Sequence, residues 1–151
     1  PPNPELAWDA LASVADVNAI ENRAVGRWLR EHTAPGDPVF VWGFECAIYD
    51  IAERPLASRY IYNVPQRAVW SQAPMQEALM RDLAARPPAA IVVEHRDVFR
   101  MVTGSDLDSA RSLYEFPALR AMLDERYRFE ASIGDFDLYL RDQGSAEQAA
   151  Q

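Results

Sequence analysis

Cys46 and His95 are the side chains of this chain whose types best suit covalent chemistry. A thiol at a helix start has its thiolate favoured by the helix dipole, and an imidazole within reach can serve as its base. Cys46 closely follows the apolar run 38–42 and His95 follows the run 89–93. If both runs are strands lying parallel and adjacent, Glu45 and Cys46 face His95. Ligands in open α/β sheets collect beyond the carboxyl ends of the strands, which directs attention to Trp42, Gly43, Glu45 and Cys46 after the first run and to Glu94, His95, Arg96 and Asp97 after the later one. Trp42, Glu45, His95 and Asp97 are the candidates there for substrate contact. Against catalysis, a single Cys among Phe44, Ala47 and Ile48 has the more ordinary use of a small buried apolar residue. A His-Arg-Asp loop is more ordinarily a set of solvated ion pairs.

A second candidate is Arg59 with Tyr60, flanked by Arg54 and Tyr62. A guanidinium fork matches phosphate, and a tyrosine ring with a polar tip matches a sugar face or a membrane interface. The competing use pairs Arg59 with an acidic neighbour and packs the tyrosines on the sheet.

Several chemistries are excluded by what is missing. His32 and His95 are the only histidines, and neither a Cys pair nor His-x-x-x-His spacing occurs, so no metal site is expected. The six glycines, at 26, 36, 43, 104, 134 and 144, form neither Gly-x-Gly-x-x-Gly nor a phosphate loop, and Gly-x-Ser-x-Gly is absent. No catalytic residue is assigned and no cofactor is implied. The formal charge of −8 repels phosphate backbones, which argues against nucleic acid as a partner. All 15 basic residues are Arg and none is Lys, a usage that reads as a GC-rich bacterial genome rather than a function.

The elements that must position these residues follow from periodicity. The length of 151 residues with 49% hydrophobic content suits one domain with one core. Ile20, Ala24, Val25, Trp28 and Leu29 recur at helical spacing from Asn18 to about His32, with Asn18 and Glu21 as a capping pair. The run 38–42 is a strand covered on both faces, and Gly43 releases the chain into a helix carrying Phe44, Ala47, Ile48 and Ile51. Residues 58–63 alternate Tyr60 and Tyr62 against Ile61 as a strand does. A helix from Pro74 buries Met75, Leu79 and Leu83, then 89–93 is another doubly covered strand. Residues 96–103 and 109–116 are short helices, with Asp106 or Asp108 as cap for the latter, and 117–126 is a longer one. Residues 127–133 and 136–141 alternate about Gly134-Asp135 as a hairpin at a sheet edge. The fold class is α/β, a three-layer sandwich with a mixed, mainly parallel sheet and a C-terminal antiparallel hairpin. Residues 1–17 read as a lead-in or linker, 18–142 as the domain and 143–151 as a disordered tail.

The order Gly36-Asp37, apolar strand, Trp42-Gly43, Tyr49, Arg54-Pro55 and Ser58-Arg59-Tyr60 carries a resemblance, with Pro88 to Val93 and Tyr139-Leu140-Arg141 as further support. From about Ala19 to Arg141 the chain resembles the soluble C-terminal extracytoplasmic domain of polytopic bacterial glycosyltransferases of the GT-C type, which use polyprenyl-phosphate sugars. These are relatives of protein O-mannosyltransferases and lipid A aminoarabinose transferase. The resemblance implies a periplasmic location, attachment to a membrane-embedded part of the same polypeptide, and contact with a lipid-linked sugar or glycan acceptor. The family's catalytic carboxylate lies on a loop between early membrane helices that nothing here matches, so the resemblance implies a domain inactive by itself. The opening Pro1-Pro2-Asn3-Pro4, without an initiator Met, is read as the result of processing or excision of a preceding membrane part. Two other classes remain open: an extracytoplasmic ligand- or protein-binding module, and a stand-alone Cys/His enzyme.

Overall fold

The two continuously apolar runs pair with one another. In the computed structural model, which describes residues 18–144, β1 (Val39–Trp42) and β2 (Ala90–Glu94) are buried at every position. They lie parallel, with Val39 opposite Ala90 and Trp42 opposite Val93. The hairpin strands β3 (Tyr127–Ile133) and β4 (Phe136–Arg141) complete a four-stranded mixed sheet in the order β1-β2-β4-β3. β4 pairs antiparallel with both β2 and β3. The α/β class and the terminal hairpin are as expected, but only β1–β2 is parallel.

Alternation along the buried strands sorts their side chains onto two faces, and each face has its own helical cover. Phe40, Trp42, Ile91 and Val93 pack against Leu79 and Leu83 of α4 (Gln72–Ala85) and Leu119 and Leu123 of α7 (Pro117–Arg126). Val39, Val41, Ala90 and Val92, with Phe136 and Leu138 of β4, pack against Val25 and Leu29 of α1 (Ala19–His32). Ile48, Tyr49 and Ala52 of α2 (Ala47–Ala52) close the second layer. Short elements bridge the rest: α3 (Val64–Arg67), α5 (Arg100–Thr103), α6 (Ser109–Ser112) and a 3₁₀ turn at Leu113–Glu115. Asp108 caps α6 by accepting the Arg111 N–H at 2.8 Å. Among the described residues no helix is long and apolar enough to cross a membrane.

Local chemistry overrides periodicity at several places. The strand expected over 58–63 does not form. The Ser58 hydroxyl instead accepts the Tyr60 N–H at 3.1 Å and folds the segment into a side-chain-closed turn. The parallel content of the sheet is smaller for that reason. The Asn18–Glu21 capping pair does not form either: Asn18 makes no side-chain cap bond, and Glu21 accepts the Asp135 N–H of the hairpin turn at 3.2 Å. In the hairpin a bulge falls between Phe129, opposite Tyr139, and Ala131, opposite Leu138. The inserted residue switches faces, so Tyr127 packs with the α4/α7 layer while Ala131 and Ile133 pack with the α1/α2 layer. α4 begins at Gln72, two residues before the expected Pro74, and Met75 is half-buried rather than buried. The lead-in over 1–17 and residues 145–151 of the expected tail lie outside the described residues.

β1 is an edge strand whose outward backbone groups are nonetheless occupied. The Val39 N–H donates to Pro55 O at 2.9 Å, the Ala57 N–H donates to Val39 O at 3.0 Å, and the Val41 N–H donates to the Tyr49 hydroxyl at 2.8 Å. Tyr49 is buried, and its desolvation raises the phenol well above its ordinary pKa. Tyr49→Phe leaves the Val41 N–H buried without an acceptor, so the variant is expected to lose about 1–3 kcal/mol, read as a lower urea midpoint at unchanged m-value.

Candidate functional site

The carboxyl ends of β1 and β2 form the site, and a glycine and a glutamate determine their approach. A Cβ on Gly43 would stand 2.7 Å from Glu94 Cβ, so only glycine leaves room for the last residue of β2 to turn its carboxyl beneath the loop after β1. There Glu94 Oε2 accepts the Phe44 N–H at 2.7 Å. Glu94 is 3% exposed, and its pKa is pushed up to about 8, foremost by burial and then by the charge of Asp97. The opposing pull of the backbone N–H groups of Phe44 and Glu45 is smaller. At neutral pH the carboxyl is predominantly protonated.

Beside it lies an ion pair shut away from water. Arg67 Nη1 donates to Asp97 Oδ2 at 3.0 Å, and both side chains are 2% exposed. Burial pulls the guanidinium pKa down and pushes the carboxyl up. Their mutual attraction opposes both shifts, and because a guanidinium keeps its proton in proteins the pair is charged. Arg67 Nη2 also donates to Leu107 O at 2.7 Å and Asp97 O at 3.2 Å. Asp97 Oδ1 accepts the Ser109 N–H at 2.6 Å, and the Ser109 hydroxyl donates to Asp97 Oδ2. Asn63 Nδ2 donates to that same hydroxyl at 2.7 Å. The Phe44 ring covers the guanidinium at 5.2 Å and meets Phe99 at 4.3 Å between centroids.

A cavity of about 130 Å³ opens between these groups, lined by Asn18, Phe44, Glu45, Glu94, His95, Arg96, Asp97, Phe99 and Asp135. Three of the residues singled out from sequence, Glu45, His95 and Asp97, are thus brought together. Each already has a polar partner. Glu45 accepts Asn22 Nδ2 at 2.6 Å, His95 Nε2 lies 2.6 Å from Asp137 Oδ2, and Asp97 is bound by Arg67 and Ser109. Arg96, with φ of 63°, forms an ion pair with Asp135 and donates its N–H to Asp108 Oδ2 at 2.9 Å.

The other candidates lie elsewhere. Trp42 is buried in the α4/α7 layer and donates Nε1–H to Ser109 O at 2.8 Å, so it presents no ligand surface. Arg59 and Tyr60 are placed apart from the cavity. Arg59 grips Asp82 with Nε at 2.9 Å and Nη2 at 2.6 Å, and the bond raises the guanidinium pKa and lowers that of the carboxyl. Tyr60 is half-buried against the core, its hydroxyl 3.6 Å from Met75 Sδ. Cys46, expected to be buried, is exposed at the start of α2 because Phe44 and Ile48 take the inward positions on either side. It lines a groove with Tyr49, Asp50 and Ile61, whereas His95 faces the cavity described above. The Cys/His pairing does not form. No group of acidic, Cys or His side chains suited to a metal occurs among the described residues.

Arg67, Asn63 and Ser109 were not legible as site residues, since the bonds from Arg67 to Asp97 and Ser109 and from Asn63 to Ser109 cross 30 to 46 positions of sequence. Glu94 carried a signal, as the one carboxylate ending an otherwise apolar strand.

No protein-family model and no curated protein matches the chain. Among solved structures it is similar to the crystal structure of the C-terminal globular domain of an oligosaccharyltransferase from Archaeoglobus fulgidus, with a TM-score of 0.43 and 14% identity. The match covers 78% of this chain and 94% of that one. At that level it assigns neither an activity nor a residue here.

Two outcomes follow from the buried charges. The Glu94 proton is held up to about pH 8 in the folded protein, against an ordinary value of 4.5. Its contribution is therefore complete below 4.5 and lost as pH rises through about 8. Glu94→Gln should flatten the fall in Tm between those limits, and parallel curves for the two proteins would overturn the assignment. Arg67→Ala leaves Asp97 buried and unpaired and should cost about 3–5 kcal/mol in chemical denaturation.

Proposed function

We propose that this chain is the non-catalytic, water-exposed domain of a membrane glycosyltransferase, held on the extracytoplasmic face. There it covers the membrane-embedded active site or contributes contacts to a lipid-linked sugar donor or its acceptor. One observation carries the reading: the residues of the resemblance are those that build the fold. Asp37 Oδ2 accepts the Ala34 N–H at 2.8 Å, and Tyr49 holds the edge of β1. Arg54 donates to the carbonyls of Arg30 at 3.1 Å, Thr33 at 2.9 Å, Ala52 at 3.3 Å and Glu53 at 3.2 Å. Arg59 is tied to Asp82 and Gly43 makes room for Glu94. A motif of this kind specifies a scaffold, which is what a domain without the transferring carboxylate would share with its relatives. The cavity at the ends of β1 and β2 supports the same reading, because Glu94 is protonated there and Asp97 and Asp135 are already ion-paired. A Cys/His enzyme is disfavoured by the separation of Cys46 from His95 into different recesses.

The test compares membranes carrying the full reading frame with membranes in which residues 18–142 are deleted, using polyprenyl-phosphate sugars as donors. Transfer is expected in the first and lost or strongly reduced in the second, with none from the purified chain. Protease added to spheroplasts should remove the domain. Turnover by the purified chain, or a full product found only in the cytosol, would overturn the proposal.

A further inference from the structure

An apolar surface outside both core layers carries one more inference. Val69 and Trp70 follow α3, Val98 and Phe99 precede α5, and Met101 and Val102 lie on it; Trp70 is 67% exposed and Met101 fully so. The two segments are joined. The Val69 N–H donates to Thr103 O at 3.0 Å, and the Trp70 ring passes 3.3 Å from where a Cβ on Gly104 would stand. Gly104 is held at φ of 73°, so this turn both needs glycine and lets the indole lie across it. Phe99 extends the surface to Phe44 at the end of β1.

The charge pattern says what the surface meets. The chain has 23 acidic residues, yet none lies between Arg54 and Gln76 or between Val98 and Ser105. The exposed charge within the second stretch is Arg100, whose contact with Asp106 is a long 3.5 Å between two well-exposed side chains and holds it weakly. A chain of net charge −8 is repelled least by anionic headgroups where carboxylates are sparse, and beside these two stretches the exposed carboxylate of Asp106 stands opposite Arg100. An apolar surface with an indole at its edge and an arginine beside it matches the boundary between acyl chains and headgroups.

We propose that this face, formed by the segment after α3 and by α5, seats at the surface of a lipid bilayer, with Trp70 and Met101 entering the headgroup–acyl boundary and Arg100 reaching lipid phosphate. The inference deepens the reading of the chain as a membrane-side domain. It is tested without any sugar donor, so its failure is distinct from failure of the transfer assay.

The 151-residue chain is mixed with phosphatidylcholine vesicles and with vesicles that also contain phosphatidylglycerol, then sedimented, and tryptophan quenching by brominated acyl chains is recorded. The chain is expected to sediment with vesicles, with quenching that disappears in Trp70→Ser. The double variant Trp70→Ser, Met101→Ser should bind about tenfold more weakly, since affinity follows the apolar area inserted. Both positions are exposed, and an unchanged melting curve verifies the fold. Arg100→Ser should reduce binding to the anionic vesicles more than to the neutral ones. The inference is overturned if the wild-type chain stays in the supernatant with both vesicles, if the double variant binds as well as wild type, or if a Trp70-dependent dimer forms without lipid.

Discussion

Arg67 and Asp97 stand thirty positions apart in the chain, and neither has water to solvate its charge. Each can be buried only because the other is there, and both need the further donors and acceptors supplied by Ser109, Leu107 and Asn63. A buried pair of this kind adds little net stability over an apolar substitute, but it penalises any arrangement that separates its members. That penalty organises the carboxyl end of the sheet. α3 brings the guanidinium, the loop after β2 brings the carboxylate, the start of α6 brings Ser109, and the loop after β1 lays Phe44 over the charge. A displacement of any one of the four exposes or orphans an ion, so the loops share a single arrangement.

The same constraint decides the state of Glu94. Two carboxyls lie near one guanidinium, and Arg67 points its fork at Asp97. Glu94, with backbone N–H groups as its donors and the Asp97 charge against it, keeps its proton instead. Neutral carboxyl and ionised carboxylate are thereby set by their neighbours rather than by residue type. The consequence for chemistry is specific to these two carboxyls. A catalytic acid and base need reach to a substrate and a proton free to move, whereas here one carboxyl is locked beneath the β1 loop and the other is bound on both oxygens. His95 is turned toward Asp137 of β4, which fastens the exit of β2 to its antiparallel neighbour.

What the sequence reveals follows the range of the interaction involved. β1 and β2 were readable because an apolar run buried on two faces needs no partner to be recognised, and α7 matched its expected bounds because Pro117 and the Leu119/Leu123 spacing are local. The gathering of Glu45, His95 and Asp97 followed from the parallel adjacency of those strands. The turn at 58–63 was misread because a hydroxyl bond across two residues competes with the ladder that Tyr60 and Tyr62 suggested. The bulge near Glu130 escaped notice since alternation in composition continues through it while the side chains change faces. Cys46 defeated expectation in a similar way: Ile48 is buried and Phe44 half-buried, but Cys46 and Ala47 occupy outward positions between them. The Arg67 network was beyond reach, because nothing local to Arg67 marks the partner thirty residues on.

These features make the surface between 98 and 102 difficult to explain by folding alone. Both faces of the sheet are already covered, one by α4 and α7 and the other by α1 and α2, and Met101 and Trp70 belong to neither layer. They are therefore not apolar residues left over from an incomplete core. The segments that bear them are also held firmly from beneath: Arg67 anchors α3, Thr103 is buried and bonded to Phe99 O at 3.1 Å, and the Val69 N–H ties the two segments together. At this end of the molecule Arg67 and Thr103 turn inward to fix the backbone while Trp70, Val98, Met101 and Val102 turn outward, the reverse of the arrangement that water alone favours. The platform that displays Trp70 and Met101, with Arg100 and Asp106 beside them, is thus an apolar surface that neither core layer uses.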